Sequence, residues 1–150
     1  MRRQNGGRTD NGVRRALGEM GRTHREITAL YLFGSGATGR AGPLSDLDVA
    51  VLLDEKKVSP SRRFRLRLDL IGEAMRAGRR SDVDLVFLNE AAPLLTFEVV
   101  RAGQVLYERD RDARIAFEAR TAQRYLDIEP FYRVSGSYLK RQILGPKRRG

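Results

Sequence analysis

Apolar positions along the chain fall into runs of strand length. Predominantly apolar runs rich in Leu, Val and Ile cover residues 27–33, 46–53 and 82–88, and a shorter run covers residues 104–107. Runs of this length and composition, bounded by Gly, Ser, Asp and Asn, are typical of buried strands. The pattern therefore predicts four strands.

Between these runs, apolar residues recur at spacings of three and four, which indicates helices with one buried face. The predicted helices cover residues 10–25, 59–77, 93–100 and 111–127. The residues expected on buried faces are Val13, Leu17 and Met20 in the first helix, Phe64, Leu68, Ile71 and Met75 in the second, and Ile115, Phe117, Ala122 and Leu126 in the last. Helices that alternate with strands around a small mixed sheet predict an α/β (α+β) domain.

The chain ends differ in composition from the segment between them. Residues 1–9 are rich in Gly and Arg and contain no apolar run, so we expect a disordered basic leader. Residues 10–127 carry the whole alternating pattern, and 150 residues suit one domain. Pro130 is expected to break the last helix, which leaves residues 128–150 as a basic, aromatic tail.

Composition limits the classes of function. The chain has 29 Lys+Arg against 19 Asp+Glu, a net charge of +10, but the cations are spread along the sequence. This spread favours a general basic surface over a dedicated nucleic-acid site. The chain has no cysteine, which excludes disulfides and thiol chemistry. With no apolar stretch of spanning length and no apolar segment after the N-terminal arginines, we expect a cytoplasmic protein without a membrane partner.

Acidic residues interrupt two of the predicted strands. Asp46 and Asp48 alternate in the second strand, so their side chains point to the same face. Two unit charges about 4 Å apart repel by about 4 kcal/mol at an effective dielectric of about 20. We therefore expect at least one of these carboxyl groups to have a raised pKa. A divalent cation would reverse this repulsion, and oxygen ligands beside phosphates suit Mg²⁺.

A third carboxylate comes from the third strand, where Asp82 and Asp84 share a face. Because alternate residues of a strand point to the same face, alternation alone does not decide which of the two is the third carboxylate. Asp84 lies within the strand, between Val83 and Leu85, whereas Asp82 lies at its start. We therefore favour Asp84 as the third member.

Glycine and serine follow the first predicted strand. Gly34 has no side chain to keep the backbone away from a phosphate, and Ser35 offers a hydroxyl and can cap a short helix over residues 37–39. Arg40 and Ser45, in the loop that follows, are further candidates for phosphate contacts. A phosphate cradle facing an acidic pair predicts attack on a nucleoside triphosphate, with two metal ions sharing the work.

These residues carry a family resemblance. Gly34-Ser35, ten residues, and then Asp46-Leu47-Asp48 resembles the GSx10DxD signature of the DNA polymerase β-like nucleotidyltransferase superfamily. The flanking sequence is similar to its small branch, the minimal nucleotidyltransferases. In this family the third carboxylate lies in a strand that matches Val83-Asp84-Leu85-Val86. The resemblance covers about residues 13–127.

The resemblance implies a polymerase β-like core and a function. Members of the small branch are antitoxins of HEPN-domain ribonuclease toxins. The implied activity is Mg²⁺-dependent transfer of a nucleoside monophosphate, AMP from ATP, to a tyrosine of the toxin. Asp46, Asp48 and Asp84 would hold the metal ions, and Gly34 and Ser35 the triphosphate. Two alternatives stay open: an antitoxin that acts by binding alone, and a nucleotidyltransferase acting on a small molecule or an RNA end.

Overall fold

The described part of the chain folds as four helices and a four-stranded sheet. The computed structural model describes residues 5–34 and 46–134. In chain order the elements are α1 (Asn5–Thr23), β1 (Ile27–Phe33), β2 (Leu47–Leu53), α2 (Pro60–Gly78), β3 (Val83–Phe87), α3 (Pro93–Ala102), β4 (Gln104–Glu108) and α4 (Arg111–Val134). The predicted fold class and the four predicted strands are confirmed. None of the helices in the described part is long and apolar enough to cross a membrane.

The sheet is mixed, with the strand order β3-β2-β1-β4. The central strand β1 is antiparallel to both β2 and β4, whereas β2 and β3 are parallel. Parallel neighbours need a crossover connection, and α2 provides it. This topology brings the end of β1 and the starts of β2 and β3 to the same edge of the sheet.

Both faces of the sheet are covered. On one face, α1 and α2 pack on alternate strand residues such as Leu30, Val49 and Phe87. On the other face, a smaller cluster around Tyr31, Ala50 and Val99 receives residues of α3 and α4. Because successive strand residues point to opposite faces, Asp48 shares the second face with Ala50.

The predicted buried face of α1 is confirmed, whereas that of α2 is wrong at Phe64 and Leu68 and confirmed at Ile71, which packs against the core. Leu17 and Met20 of α1 are buried and Val13 packs against them. In α2, by contrast, Phe64 is 68% exposed and Leu68 is 51% exposed. The residues of α2 that are buried are Leu70, Ala74 and Gly78.

Two arginines explain the different face of α2. The inward stripe continues from Leu70 back through Arg67 and Arg63, whose side chains are largely covered. The Arg67 guanidinium lies 4.7 Å from the ring centre of Phe87, and both arginines bind the Glu90 carboxylate. Arginine can cover apolar surface with its stem while its head finds polar partners. Apolar spacing alone therefore predicted the wrong buried residues in the first half of α2.

The predicted limits of α4 and α1 also require correction. Helix α4 continues through Pro130 to Val134 instead of ending near Asp127. Proline removes one intrahelical hydrogen bond, and here the Glu129–Arg133 contact at 2.9 Å joins the turns on either side of it. Within α4, Phe117 packs as expected, but Ile115 and Leu126 are exposed.

Helix α1 begins at Asn5, so residues 5–9 are helical and the predicted leader is wrong there. Glycine lowers helix propensity by about 1 kcal/mol, a weak preference that did not set the boundary. The remaining predictions for residues 1–4, the short helix at 37–39 and the tail from residue 135 lie outside the described residues.

Candidate active site

The acidic residues meet at one edge of the sheet. Asp48 of β2 is paired with Phe33 of β1 on one side and with Asp84 of β3 on the other. These pairings place the end of β1, where Gly34 follows, beside both carboxylates. The structure therefore brings Gly34, Asp48 and Asp84 together, as expected from the sequence.

Asp48 is the most strongly perturbed carboxyl group of the site. Its side chain is half-buried, and its pKa is raised from 3.8 to about 6. Burial is the largest cause, followed by the negative charges of Asp84 and Asp46. The expectation that at least one of these carboxyl groups has a raised pKa is confirmed. Among the described residues, no cation contributes to offset the repulsion at Asp48.

Gly34 lies directly against Asp48. Its φ of +67° is in the left-handed region, which favours glycine. A β-carbon at position 34 would overlap Oδ2 of Asp48. Position 34 therefore requires glycine for two reasons: the backbone has a positive φ, and the Asp48 carboxylate leaves no room for a β-carbon. From the sequence, Gly34 is expected to let a phosphate approach the backbone, whereas the contact with Asp48 is signalled only by a glycine directly after a strand.

The other two acidic positions have different surroundings. Asp46 is exposed and immediately precedes β2, close enough for its charge to act on Asp48. Asp82 precedes β3, and its backbone carbonyl accepts a hydrogen bond from the Leu47 amide at 3.0 Å. Its carboxylate is not among the charges that act on Asp48, whereas that of Asp84 is. The three remaining candidates, Ser35, Arg40 and Ser45, lie outside the described residues.

The donor set fits a hard divalent cation that also binds phosphate. In the described part of the chain, no group of three acidic, His or Cys side chains stands close enough together to form a complete metal cage. Mg²⁺ is usually held by one or two carboxylates, with substrate phosphates and water as its other ligands. The adjacent Asp48 and Asp84, with mutual repulsion that a cation would relieve, match that arrangement.

Comparison with known proteins assigns the family. Residues 16–112 match the family described as Polymerase beta, Nucleotidyltransferase. The chain belongs to this family. The nucleotidyltransferase match includes Gly34, Asp46, Asp48 and Asp84, so the residues that meet at the sheet edge all lie within it.

Two curated relatives and two solved structures extend the comparison of this nucleotidyltransferase. A protein adenylyltransferase MntA of Aphanizomenon flos-aquae is 37% identical over 100 residues, which are 63% of this chain and 65% of the relative. A protein adenylyltransferase MntA of Shewanella oneidensis is 30% identical over 104 residues, which are 69% of this chain and 70% of the relative. The chain thus spans about two thirds of the length of these relatives.

The fold of the nucleotidyltransferase is also found in toxin–antitoxin structures. One, a toxin–antitoxin with AMP-PNP, is 26% identical at a TM-score of 0.62, and covers 83% of this chain and 93% of that chain. Another, the toxin–antitoxin MntA–HepT, is 24% identical at a TM-score of 0.56, and covers 85% of this chain and 93% of that chain. The second likeness supports the fold alone.

Proposed function

We propose that this nucleotidyltransferase is an antitoxin that transfers AMP from ATP to a tyrosine of a partner HEPN-domain ribonuclease toxin and thereby inactivates it. The observation that carries the proposal is the pairing of Asp48 with Asp84 beside Gly34, where negative charge is concentrated and no cation of the described residues offsets it. Such a cluster costs stability and is explained by binding Mg²⁺ and a nucleotide.

Some of the site residues bind the nucleotide, and others position the acceptor. Asp46, Asp48 and Asp84 would hold the metal ions, and Asp84 would also orient the acceptor hydroxyl. Mg²⁺, when bound, withdraws charge from the phosphate oxygens and makes the hydroxyl easier to deprotonate. Gly34 leaves room for the triphosphate close to the backbone, and Ser35, Arg40 and Ser45 supply further polar contacts to it.

The transfer itself is a displacement at the α-phosphorus. The tyrosine oxygen forms a bond to the α-phosphorus, the bond to the bridging oxygen breaks, and pyrophosphate leaves. The exposed Asp84 carboxylate accepts the tyrosine proton and passes it to water. Holding hydroxyl and phosphate together at one sheet edge replaces a random encounter with an oriented one.

The comparisons support the nucleotide and the partner. The two curated relatives are protein adenylyltransferases, and a structure of the same fold contains AMP-PNP, an analogue of ATP. That structure is a toxin–antitoxin. We further place the pair in the cytoplasm, in keeping with the absence of cysteine from the sequence.

The proposal is tested by following each phosphate of ATP. The full chain is incubated with Mg²⁺, a HEPN-domain toxin from the same organism, and ATP labelled at either the α- or the γ-position. We expect α-label but no γ-label on the toxin, an intact-mass increase of one or more AMP groups, and modified tyrosine in the peptide map. Inhibition of the toxin without ATP and without a mass change would instead establish an antitoxin that acts by binding.

A further inference from the structure

A groove with a volume of about 1070 Å³ lies at the other end of the sheet from the carboxylates. It is bounded by the start of β1 at Thr28, the end of β2 at Leu53, Asn89 after β3, and the first half of α4. Leu53 is five residues beyond Asp48 along β2, which is about 17 Å at the rise of a strand. The groove is therefore separate from the proposed catalytic edge.

The floor and walls of this groove combine buried hydroxyl groups with apolar surface. Thr28, Thr96 and Thr121 line it and are only 8%, 6% and 6% exposed. Apolar side chains that line it are Leu52, Leu88, Pro93 and Phe117. Small-molecule sites are concave, mostly apolar and carry a few polar groups that fix orientation, and their volumes are about 300–1,000 Å³.

Most acidic side chains of the groove already have partners. Oδ1 of Asp110 accepts a hydrogen bond from the Ala113 amide at 3.0 Å and so caps α4. Asp54 accepts one from the Lys56 amide at 3.0 Å. Glu55 lies 3.7 Å from the guanidinium of Arg63, outside the groove. Their negative charge is thus partly neutralised by hydrogen bonds and an ion pair within the protein.

Most of the cations that line the groove have fewer partners within the described part of the protein. Arg109 donates to the backbone carbonyls of Ile27, Arg22 and His24 and has a structural role. By contrast, four other cations of the lining have side chains without a hydrogen bond or ion pair to any described residue: Lys56, Arg111, Arg120 and Arg124. Among the acidic lining residues, Asp112 alone has no such contact to a described residue. Arg120 and Arg124 are one turn apart on α4, where like charges destabilise a helix.

We propose that this groove binds a phosphate-bearing ligand of nucleotide size. Its phosphate groups would bind Arg111, Arg120 and Arg124, and its base would pack on the wall formed by Pro93 and Phe117. Arginine favours phosphate over other anions because its planar guanidinium can donate two parallel hydrogen bonds. The chain would then bind phosphate at both ends of the sheet, at one end for transfer and at the other for recognition of an effector.

The test uses the full chain in EDTA, which suppresses metal-dependent nucleotide binding at the carboxylates. Inorganic phosphate, AMP and a short single-stranded oligouridylate are titrated by calorimetry. We expect AMP to bind at least about fivefold more tightly than inorganic phosphate, because the apolar wall adds to the phosphate contacts. The double variant Arg120→Gln/Arg124→Gln should bind AMP at least about tenfold more weakly. The control Arg62→Gln/Arg65→Gln removes the same charge from exposed positions of α2 and should change binding less than about twofold.

Amide resonances then locate the ligand on the chain. AMP should shift Asn89, Ala113 and Thr121, which line the groove, and leave Gly34, Asp48 and Asp84 unchanged. Shifts confined to the carboxylate edge, or equal weakening in both double variants, would overturn the proposal. If oligouridylate binds more tightly than AMP, and the gain in affinity follows its larger number of phosphates, the groove is a general surface for nucleic-acid strands. That result would also overturn the proposal. Circular dichroism melts of both double variants establish that they are folded.

Discussion

Asp48 is paired with Asp84 across the parallel strands β2 and β3, so that two carboxylates of one face stand side by side. On its other side Asp48 is paired with Phe33, the last residue of β1, and Gly34 follows directly. The pKa of Asp48 is raised to about 6 by burial and by the charges of Asp84 and Asp46. This relationship links fold, stability and proposed chemistry.

The first prediction concerns stability without metal. The pKa of Asp48 rises from 3.8 to about 6 on folding, so the folded state holds this proton more tightly. Its contribution to the free energy of unfolding falls as the pH rises from 3.8 to 6, and the penalty is constant above that. We expect Asp48→Asn to stabilise the metal-free protein at pH 7 by about 1 kcal/mol, after allowance for solvent screening, and to have little effect below pH 3.8. Urea unfolding in EDTA at several pH values measures this difference, and a destabilised Asp48→Asn at pH 7 would mean that hydrogen bonds hold the carboxylate.

The second prediction concerns the glycine beside the site. Gly34→Ala places a side chain at a φ of +67° and against the Asp48 carboxylate, and should destabilise by about 2 kcal/mol. Gly12→Ala is the matched control, because a β-carbon there meets no atom within 4 Å. In an exposed helix it should stabilise by about 0.5–1 kcal/mol. Equal effects of the two variants in thermal melts would remove the argument for a required glycine.

The third prediction concerns the buried phenol of Tyr31, which is paired with Ala50 on the sheet face that also carries Asp48. The Tyr31 hydroxyl donates to Glu118 at 2.9 Å, and Arg114 also binds Glu118, at 2.7 Å. Burial, and then this hydrogen bond, raises the pKa of Tyr31 well above its usual value. Tyr31→Phe should lower the free energy of unfolding by about 1–2 kcal/mol. Tyr107→Phe, whose hydroxyl has no partner among the described residues, should cost less than about 0.5 kcal/mol, and the reverse order would contradict the buried network.

The fourth prediction concerns ligand binding. Mg²⁺–ATP binds the folded state and should stabilise the wild type by about 2.7 kcal/mol at about 100 times Kd. Asp48→Asn lacks one negative charge among the metal ligands, so Mg²⁺–ATP should stabilise it much less than the wild type. Thermal melts of both proteins, each with and without Mg²⁺–ATP, provide the comparison. Equal stabilisation of the two proteins would show that Asp48 is not a ligand of the metal.

The strands were the most predictable part of the fold. The apolar run at residues 27–33 coincides with β1, because a continuous apolar segment of that length has few alternatives. The first half of the buried face of α2 was not predictable from apolar spacing. Arg63 and Arg67 occupy inward positions there because both bind Glu90 and Arg67 covers Phe87, and these partners are distant in sequence. Tertiary partners decided that helix face.

The sequence predicts candidate residues for the site but not the geometry that brings Gly34, Asp48 and Asp84 together. Alternation places Asp46 and Asp48 on one face, and it cannot distinguish Asp82 from Asp84. Only the parallel register of β2 and β3 brings Asp84 beside Asp48, and only the turn after β1 brings Gly34 against its carboxylate. These contacts depend on strand pairing, which a single sequence does not specify.

The central claim is tested most directly by the rate of AMP transfer. Wild type, Asp48→Asn, Asp84→Asn and Asp82→Asn are compared with Mg²⁺, α-labelled ATP and the partner toxin under single-turnover conditions. Loss of a ligand charge should misplace the α-phosphorus, so we expect Asp48→Asn and Asp84→Asn to be slower by about 100-fold or more. Asp82→Asn should stay within about threefold of wild type. Transfer by Asp48→Asn within about threefold of wild type, or a greater loss in Asp82→Asn than in Asp84→Asn, would contradict the account.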